Sequence, residues 1–262
     1  SEFYSDFYKK NGIGINDIKS INDIEKLPIL TKDIVRENID KILIGSKYHM
    51  QKVSTSGTTG NALPLYQSYR SVLLEQAYVY KYRRMCGLNL GERLASLRGH
   101  LDSKTFKLRL HVANTLYLSS YQIKQSMVEK YYKELCHFKP KAIEGYPSSL
   151  YNLCCLLKEN SLKLNIPLCF TSSETLYDFQ RTVIEETLNC KIYDWYGCTE
   201  HTIAIGEDIN HNGYFEMPGY SYNELKEDHI ISTSFINNDF PLIRYRVNDK
   251  IILKPNYKKI KT

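Results

Sequence analysis

The sequence predicts an α/β fold: a mostly parallel sheet covered by helices, with an antiparallel β addition near the C-terminus. Two observations carry this. Between Leu94 and Tyr196, short apolar segments alternate with stretches of helical periodicity, the pattern of parallel strands joined by crossover helices. After Gly206 the pattern shifts to brief strand candidates separated by Asn, Asp and Gly, which suits hairpins better than crossovers. The chain has 262 residues. A chain of that size can bury about 70–75% of its unfolded surface. One large domain over residues 1–262 is expected, with approximate lobes at 44–205 (the α/β body) and 206–262 (the β-rich addition).

The elements follow in order. Ser1 to Leu43 reads as helical and irregular, with Pro28 marking a boundary. The glycine-containing run Ser54–Gly60 precedes a long helical pattern in which Leu73, Ala77 and Tyr80 share a face and Gly87 is a stop. Leu94-Ala95-Ser96-Leu97 is a short strand ended by Gly99. Ile123, Met127, Tyr131 and Leu135 recur every four residues, with Val128 beside them, so a second amphipathic helix follows. Ala142-Ile143 is a buried strand and Tyr146-Pro147-Ser148-Ser149 the turn after it. Leu150, Leu153, Cys154 and Leu157 form the next helical face, which Ser148 or Ser149 could cap. Strand Leu168–Thr171, helix Phe179–Leu188 and strand Lys191–Tyr196 complete the alternation. The later strand candidates are Gly213–Glu216, His229–Ser234, Leu242–Arg246 and Ile251–Leu253.

Composition narrows the function. The net charge of +6 arises from 35 basic and 29 acidic residues in a well-mixed background, without the basic stripe of a nucleic-acid binder. The cluster Lys254–Lys261 reads as a solvated tail. Seven cysteines are scattered with no C-x-x-C pair, and Cys154 and Cys155 are adjacent, so neither a zinc site nor a disulfide framework is expected. No apolar run approaches 18 residues, so no membrane insertion is expected, and a cytoplasmic location is the default.

Three segments carry chemistry. The run Ser54-Thr55-Ser56-Gly57-Thr58-Thr59-Gly60 interleaves hydroxyls with glycines, which allow close backbone approach to phosphate oxygens. It lacks the Gly-Lys-Ser/Thr of a Walker loop, and by itself such a run is more often a flexible turn than a phosphate site. Tyr196-Gly197-Cys198-Thr199-Glu200 follows a strand, and Pro241-Leu242-Ile243-Arg244-Tyr245-Arg246-Val247-Asn248-Asp249 lies late in the chain. Ligands of open α/β sheets collect beyond the carboxyl ends of the strands, so Glu174, Tyr196, Thr199 and Glu200 are expected in one location.

The order of these segments resembles the adenylate-forming superfamily, which activates carboxylic acids with ATP. Within it, the chain resembles the phenylacetate–coenzyme A ligase-like branch and its capsule-biosynthesis relatives. Leu27-Pro28-Ile29-Leu30-Thr31-Lys32-Asp33, Glu144-Gly145-Tyr146-Pro147-Ser148-Ser149 and Thr171-Ser172-Ser173-Glu174 point to that branch. The resemblance implies ATP or AMP, Mg²⁺, a small-molecule carboxylic acid and coenzyme A as acceptor. It assigns Glu200 to magnesium, Thr199 to the α-phosphate and Ser54, Thr55, Ser56, Gly57, Thr58, Thr59 and Gly60 to the β- and γ-phosphates. Tyr196 and Gly197 would border the base. Ser172, Ser173 and Glu174 either border the adenine or, for the serines, cap the helix beginning near Tyr177. Asp249 corresponds to the ribose-binding acid, although Val247 and Asn248 stand where Thr and Gly are usual. His100, like His201, reads first as a satisfied or exposed histidine; the resemblance alternatively places His100 with Tyr146 and Pro147 along the acyl pocket. His201 and His211 alone do not make the zinc site found in some relatives.

The resemblance also implies a small C-terminal domain with a hinge, a further Arg and a catalytic lysine, none of which is matched here. The expected protein is therefore the nucleotide-binding portion of an acyl-adenylate-forming ligase. Non-catalytic nucleotide-binding and polysaccharide-biosynthesis accessory roles on the same fold are the alternatives.

Overall fold

The computed structural model describes residues 1–55 and 62–249, apart from the side chain of Ile15. Seven helices are present among them: α1 (Glu2–Lys10), α2 (Lys32–Glu37), α3 (Ile39–Ile42), α4 (Tyr69–Met85), α5 (Val128–Phe138), α6 (Pro147–Glu159) and α7 (Asp178–Leu188). The first strands are β1 (Met50–Ser54), β2 (Pro64–Ser68), β3 (Leu94–Leu97), β4 (Lys107–Leu110), β5 (Thr115–Leu118), β6 (Ala142–Gly145) and β7 (Leu168–Ser172). Then come β8 (Lys191–Gly197), β9 (Ala204–Glu207), β10 (Tyr214–Glu216), β11 (Ser221–Leu225), β12 (Ile230–Ser234) and β13 (Tyr245–Val247). The expected strand Ile251–Leu253 and the lysine cluster after it lie outside the described residues.

Eight strands form one sheet in the order β10-β9-β8-β7-β6-β3-β5-β4. Its centre, β5-β3-β6-β7-β8, is parallel throughout, as the strand–helix alternation predicts. β4 joins the edge antiparallel to β5. A separate antiparallel sheet, β11-β12-β13, forms the β-rich addition. Gly213–Glu216, expected in that addition, instead supplies β10 at the edge of the large sheet.

The chain divides into two compact units. The first comprises the described residues of Ser1–Val79, Gly197–Ile205 and Phe215–Thr262; the second comprises Tyr80–Tyr196 and Gly206–Tyr214. The expected lobes at 44–205 and 206–262 are contiguous in sequence, whereas these units are each assembled from separated stretches.

The second unit holds a continuous apolar core of Ala95, Leu97, Leu116, Leu118, Ile143, Cys169 and Ile192 from the strands with Val128, Tyr131, Leu135, Leu150, Leu153, Cys154, Leu157, Ile184 and Leu188 from the helices. Each large apolar side chain buried this way contributes roughly 1.5–3 kcal/mol. Gly145 is required by this packing, because a Cβ there would meet Leu150 Cγ at 2.9 Å. Helix α6 begins with Tyr146 as its N-cap and Pro147 at its first position, so neither Ser148 nor Ser149 caps it as expected. Proline already supplies the φ that the first turn needs.

Helix α4 corrects the sequence reading. Leu73 is 70% exposed and Tyr80 42%, and Ala77 is exposed too, while Ser71 and Tyr82 are buried. The inward face includes the polar Ser71 and Glu75, so a count of apolar residues selects the wrong side.

In the first unit, β1 and β2 pair antiparallel in the register Ser54↔Pro64. The Ser/Thr/Gly run therefore begins at the end of a hairpin strand and is followed by β2 before α4. Two motifs of the sequence are fastened to one another here. Leu30 N–H donates to Arg244 O at 2.9 Å and Arg246 N–H donates to Leu30 O at 2.9 Å. The Arg244 guanidinium grips Glu224 with Nε to Oε1 and Nη2 to Oε2, both at 2.7 Å. Its Nη1 donates to the carbonyls of Glu25, at 2.7 Å, and Leu27. Arg244 also holds a left-handed φ of 50°. These buried contacts make it a structural clamp between the N-terminal segment and β11.

Candidate functional site

The first unit carries the turn Cys198–His201, which leaves the end of β8. Its shape is imposed by side chains from distant elements. Gln67 on β2 donates from Nε2 to Thr199 O at 2.6 Å and lies 3.1 Å from His201 Nε2. The short contact to a carbonyl fixes an amide nitrogen at that position, so His201 Nε2 accepts and Nδ1 carries the hydrogen. Gln51 on β1 donates in turn to Gln67 Oε1 at 2.8 Å. Ser234 Oγ donates to His201 O at 2.7 Å, and His201 holds a left-handed φ of 54°. Burial pulls the His201 pKa down to about 4, so the ring is neutral.

Glu200, from the same turn, accepts from the Tyr245 hydroxyl at 3.0 Å through Oε1. Burial, then the Glu200 carboxylate, raises the Tyr245 hydroxyl well above its ordinary range, and the charge of Asp249 acts on it in the same direction. Glu200 and Asp249, 49 positions apart in sequence, thus act on one phenol. Among the described residues Oε2 of Glu200 makes no hydrogen bond, and neither does the Thr199 hydroxyl. Magnesium takes one or two protein carboxylates and completes its shell with phosphate and water, so a single oriented carboxylate with a free oxygen fits it. Among the described residues no cluster of three or more His, Cys, Asp or Glu side chains could hold a metal. Burial of the Cys198 sulfur, then the Glu200 charge, pushes that thiol up to about 12, so it is no thiolate nucleophile.

Of the Ser54–Gly60 run, Ser54 ends β1 and Thr55 closes the base of the loop. Thr55 N–H donates to Leu63 O, and Leu63 N–H donates to Thr55 Oγ1, both at 3.0 Å. Ser56, Gly57, Thr58, Thr59 and Gly60 lie outside the described residues.

The second unit gathers its candidate residues at the carboxyl ends of β3, β6 and β7. Arg98, just after β3, donates from Nη2 to Ser172 Oγ at 2.9 Å and Ser173 Oγ at 3.3 Å, with its guanidinium carbon 6.0 Å from the centre of the Tyr146 ring. Ser173 takes a left-handed φ of 70°. Glu174 accepts from Ser148 N–H at 3.0 Å, so the acid of the Ser-Ser-Glu motif satisfies a free amide in the first turn of α6. The serines serve Arg98 and do not cap α7, whose N-cap is Tyr177. His100 is exposed and stands edge-on to Tyr117, with ring centres 5.5 Å apart. Tyr146 is half-buried and Pro147 buried. A Cβ on Gly99 would come within 3.1 Å of the Tyr121 hydroxyl, so the bare backbone lets these phenols approach. Tyr196 is half-buried at the end of β8.

Gln67, Tyr245 and Arg98 escape sequence reasoning as site residues. Only Tyr245 had a signal, its place inside Arg-Tyr-Arg.

No family model matches the chain. Protein CapK of Staphylococcus aureus is 29% identical over 268 residues, covering 97% of this chain and 59% of that protein. An open conformation of 2-hydroxyisobutyryl-CoA ligase, in complex with 2-HIB-AMP and CoA, superposes with a TM-score of 0.71 at 18% identity, over 95% of this chain and 65% of that one. The fold is that of the adenylate-forming acyl-CoA ligases. The anthranilate CoA ligase AuaEII in complex with anthranoyl-AMP shares it more distantly, with a TM-score of 0.51 at 17% identity over 71% of this chain and 39% of that one. The chain spans less than two thirds of the length of each of these proteins. The acyl-CoA ligase fold is what the order of motifs implied, and it accounts for the mixture of a parallel sheet with an antiparallel one.

Proposed function

We propose that this chain is the nucleotide-binding portion of an ATP-dependent acid–CoA ligase. A carboxylate oxygen attacks the α-phosphorus of ATP, pyrophosphate leaves, and the acyl-AMP then passes its acyl group to coenzyme A. The observation that carries the proposal is the Glu200 carboxylate held by the Tyr245 hydroxyl within an acyl-CoA ligase fold, with the Asp249 charge acting on the same phenol. Glu200 offers a free oxygen to Mg²⁺, which when bound neutralises phosphate charge. Thr199 offers its hydroxyl to the α-phosphate, and the Ser54–Gly60 run offers hydroxyls and amides to the β- and γ-phosphates. Asp249 accepts from the ribose hydroxyls. Ser172, Ser173, Glu174, Tyr196 and Gly197 belong to the adenine side, and His100, Tyr146 and Pro147 to the acyl side. The acyl-AMP and CoA held by 2-hydroxyisobutyryl-CoA ligase support this reaction kind. The similarity to CapK supports the capsule-biosynthesis branch. An ATP-consuming ligase with free cysteines suits the cytoplasm.

Calorimetric titration tests the reading. ATP should bind with magnesium dependence and AMP with less, and a panel of acids should then elicit pyrophosphate release. No binding at millimolar nucleotide overturns it. One observation favours a non-catalytic nucleotide-binding module as the second reading. Val247, standing where the family pattern has a Thr hydroxyl, is only 4% exposed and pairs with Ile230, so that position serves the core. Nucleotide binding without pyrophosphate release for any acid, both by this chain and by a version extended through any downstream sequence in its gene, would select that module.

A further inference from the structure

Two arginines of the second unit stand near the carboxyl ends of the parallel strands, and they differ in what neutralises them. Arg83 on α4 pairs with the Glu144 carboxylate on β6, with side chains 12% and 9% exposed, and its guanidinium lies 5.7 Å from the centre of the Phe170 ring. Its charge is spent inside the fold. Arg98 has no carboxylate within ion-pair distance among the described residues. Its oxygen partners are the neutral hydroxyls of Ser172 and Ser173, and the Tyr146 ring lies beside it. The neighbouring acids are committed elsewhere: Glu174 to Ser148 N–H, and Asp102 to the backbone N–H groups of Lys104 and Thr105. The result is a fixed, unneutralised guanidinium whose Nη1 and Nε donors have no partner among the described residues.

We infer that Arg98 is a specificity-determining residue that binds a second anionic group on the acid substrate, so that the preferred acids are dicarboxylates or acids bearing another fixed anion. The inference rests on the acid-activating reading above. A guanidinium presents planar, paired donors that match a carboxylate, and here two hydroxyls and a ring hold it in place before ligand arrives. The adjoining residues, Gly99, His100 and Tyr146, are those assigned to the acyl side. The other anions of the reaction are poorer partners. The reacting carboxylate loses its charge as it bonds to phosphorus, so a cation fixed on it would favour the ground state over the transition state. The triphosphate is assigned to Ser54–Gly60 and Thr199, and adenine is neutral. An anion that keeps its charge throughout the reaction gains from Arg98 at every step.

The experiment compares the 262-residue chain with Arg98→Gln and Arg98→Lys, using the acid pairs butyrate and succinate, propionate and malonate, and benzoate and isophthalate. ATP affinity is measured by calorimetry, acid binding by ligand-observed NMR with AMP present, and turnover by pyrophosphate release. The diacid of at least one pair should be preferred. Arg98→Gln should lower its kcat/KM by about 10²-fold while the matched monoacid and ATP affinity change little. Arg98→Lys should restore part of the loss by keeping the charge. Equal losses for both members of a pair, a preference for monoacids, or a fall in ATP affinity would each overturn the inference. If the unaltered chain binds no ATP, the ligase reading fails separately, and if it binds ATP without releasing pyrophosphate, turnover gives no reading. Acid binding then decides the role of Arg98: diacid binding that Arg98→Gln abolishes supports it, and no diacid binding overturns it.

Discussion

The turn at Thr199–His201 and the strand ends around Ser172–Glu174 offer similar chemistry, hydroxyls followed by an acid, yet they are held in place by different means. The second-unit cluster follows from topology. Once β3, β6 and β7 run parallel in register, Arg98, Tyr146 and Ser172 must emerge at the same edge. The first-unit turn follows from side chains: Gln67, Tyr245 and Ser234 reach it from three separate strands. An irregular turn with a left-handed histidine needs such scaffolding, because no ladder of backbone hydrogen bonds dictates its path. The comparison teaches where each site is vulnerable. The second-unit cluster should tolerate loss of single polar contacts better than the first-unit turn does.

The largest effect should come from the Arg244 clamp in the same unit. Arg244→Met leaves Glu224, 3% exposed at its side chain, with Lys226 at 3.5 Å as its one ion-pair partner among the described residues, and should cost about 3–5 kcal/mol in urea unfolding. Arg244→Met with Glu224→Met should recover most of that loss, since removing a whole buried pair is often neutral. A single-variant cost below about 1 kcal/mol would show that the clamp does not hold the unit together. Next comes the turn itself. Glu200→Gln should slow pyrophosphate release by about 10²–10³-fold and leave AMP affinity nearly intact. Asp249→Ala should instead weaken AMP by about 1.5–3 kcal/mol through lost ribose hydrogen bonds. If Glu200→Gln weakens AMP as strongly as Asp249→Ala, the two roles are misassigned.

The same contrast explains what the sequence disclosed. The parallel core was legible because Leu150, Leu153, Cys154 and Leu157, like Val128, Tyr131 and Leu135, repeat at the helical period and all end up buried. Helix α4 misled because its inward face carries Ser71 and Glu75, while Leu73 faces solvent. Hairpin β1-β2 is hidden by the Ser/Thr/Gly run that separates its strands. Arg244, inside a family motif, is buried structure, and Arg98, outside the quoted motifs, stands at the strand ends. Periodicity reports burial; it does not report which partner a charge will find.

Gln67 sharpens the comparison at intermediate size. Gln67→Leu removes the donor to Thr199 O and leaves that carbonyl short of a partner, at about 1–3 kcal/mol. Because the lost contact positions Thr199, proposed above for the α-phosphate, magnesium-ATP affinity should fall more than AMP affinity. Ser173→Ala, in the second unit, removes one hydroxyl from the adenine side and the weaker of two contacts to Arg98, and should lower magnesium-ATP and AMP affinity by the same small factor. Equal losses in the two variants would erase the distinction drawn between the regions.

The smallest effect tests the first unit through pH. Glu75 on α4 accepts from the hydroxyl of the fully buried Tyr220, and burial raises its pKa from 4.5 to about 7, with that hydrogen bond offsetting part of the rise. Between those two values the native state holds a proton that the unfolded chain has released. Stability therefore falls as pH rises through this window and levels off above it. His201 acts oppositely: its native pKa lies below its ordinary value of 6.5, so its contribution is lost as pH falls toward about 4. The two slopes overlap near pH 5–6 and would blur a single titration. Comparing Glu75→Gln with the unaltered chain cancels the histidine, because both proteins retain it. The melting temperature of the variant relative to the unaltered chain should climb between pH 5 and pH 8, most steeply near pH 5.5–6, and then stay level. A difference that stays flat across that range would mean that Glu75 is solvated and charged in the native state, and that the inward face of α4 is looser than its contacts with Tyr220 indicate.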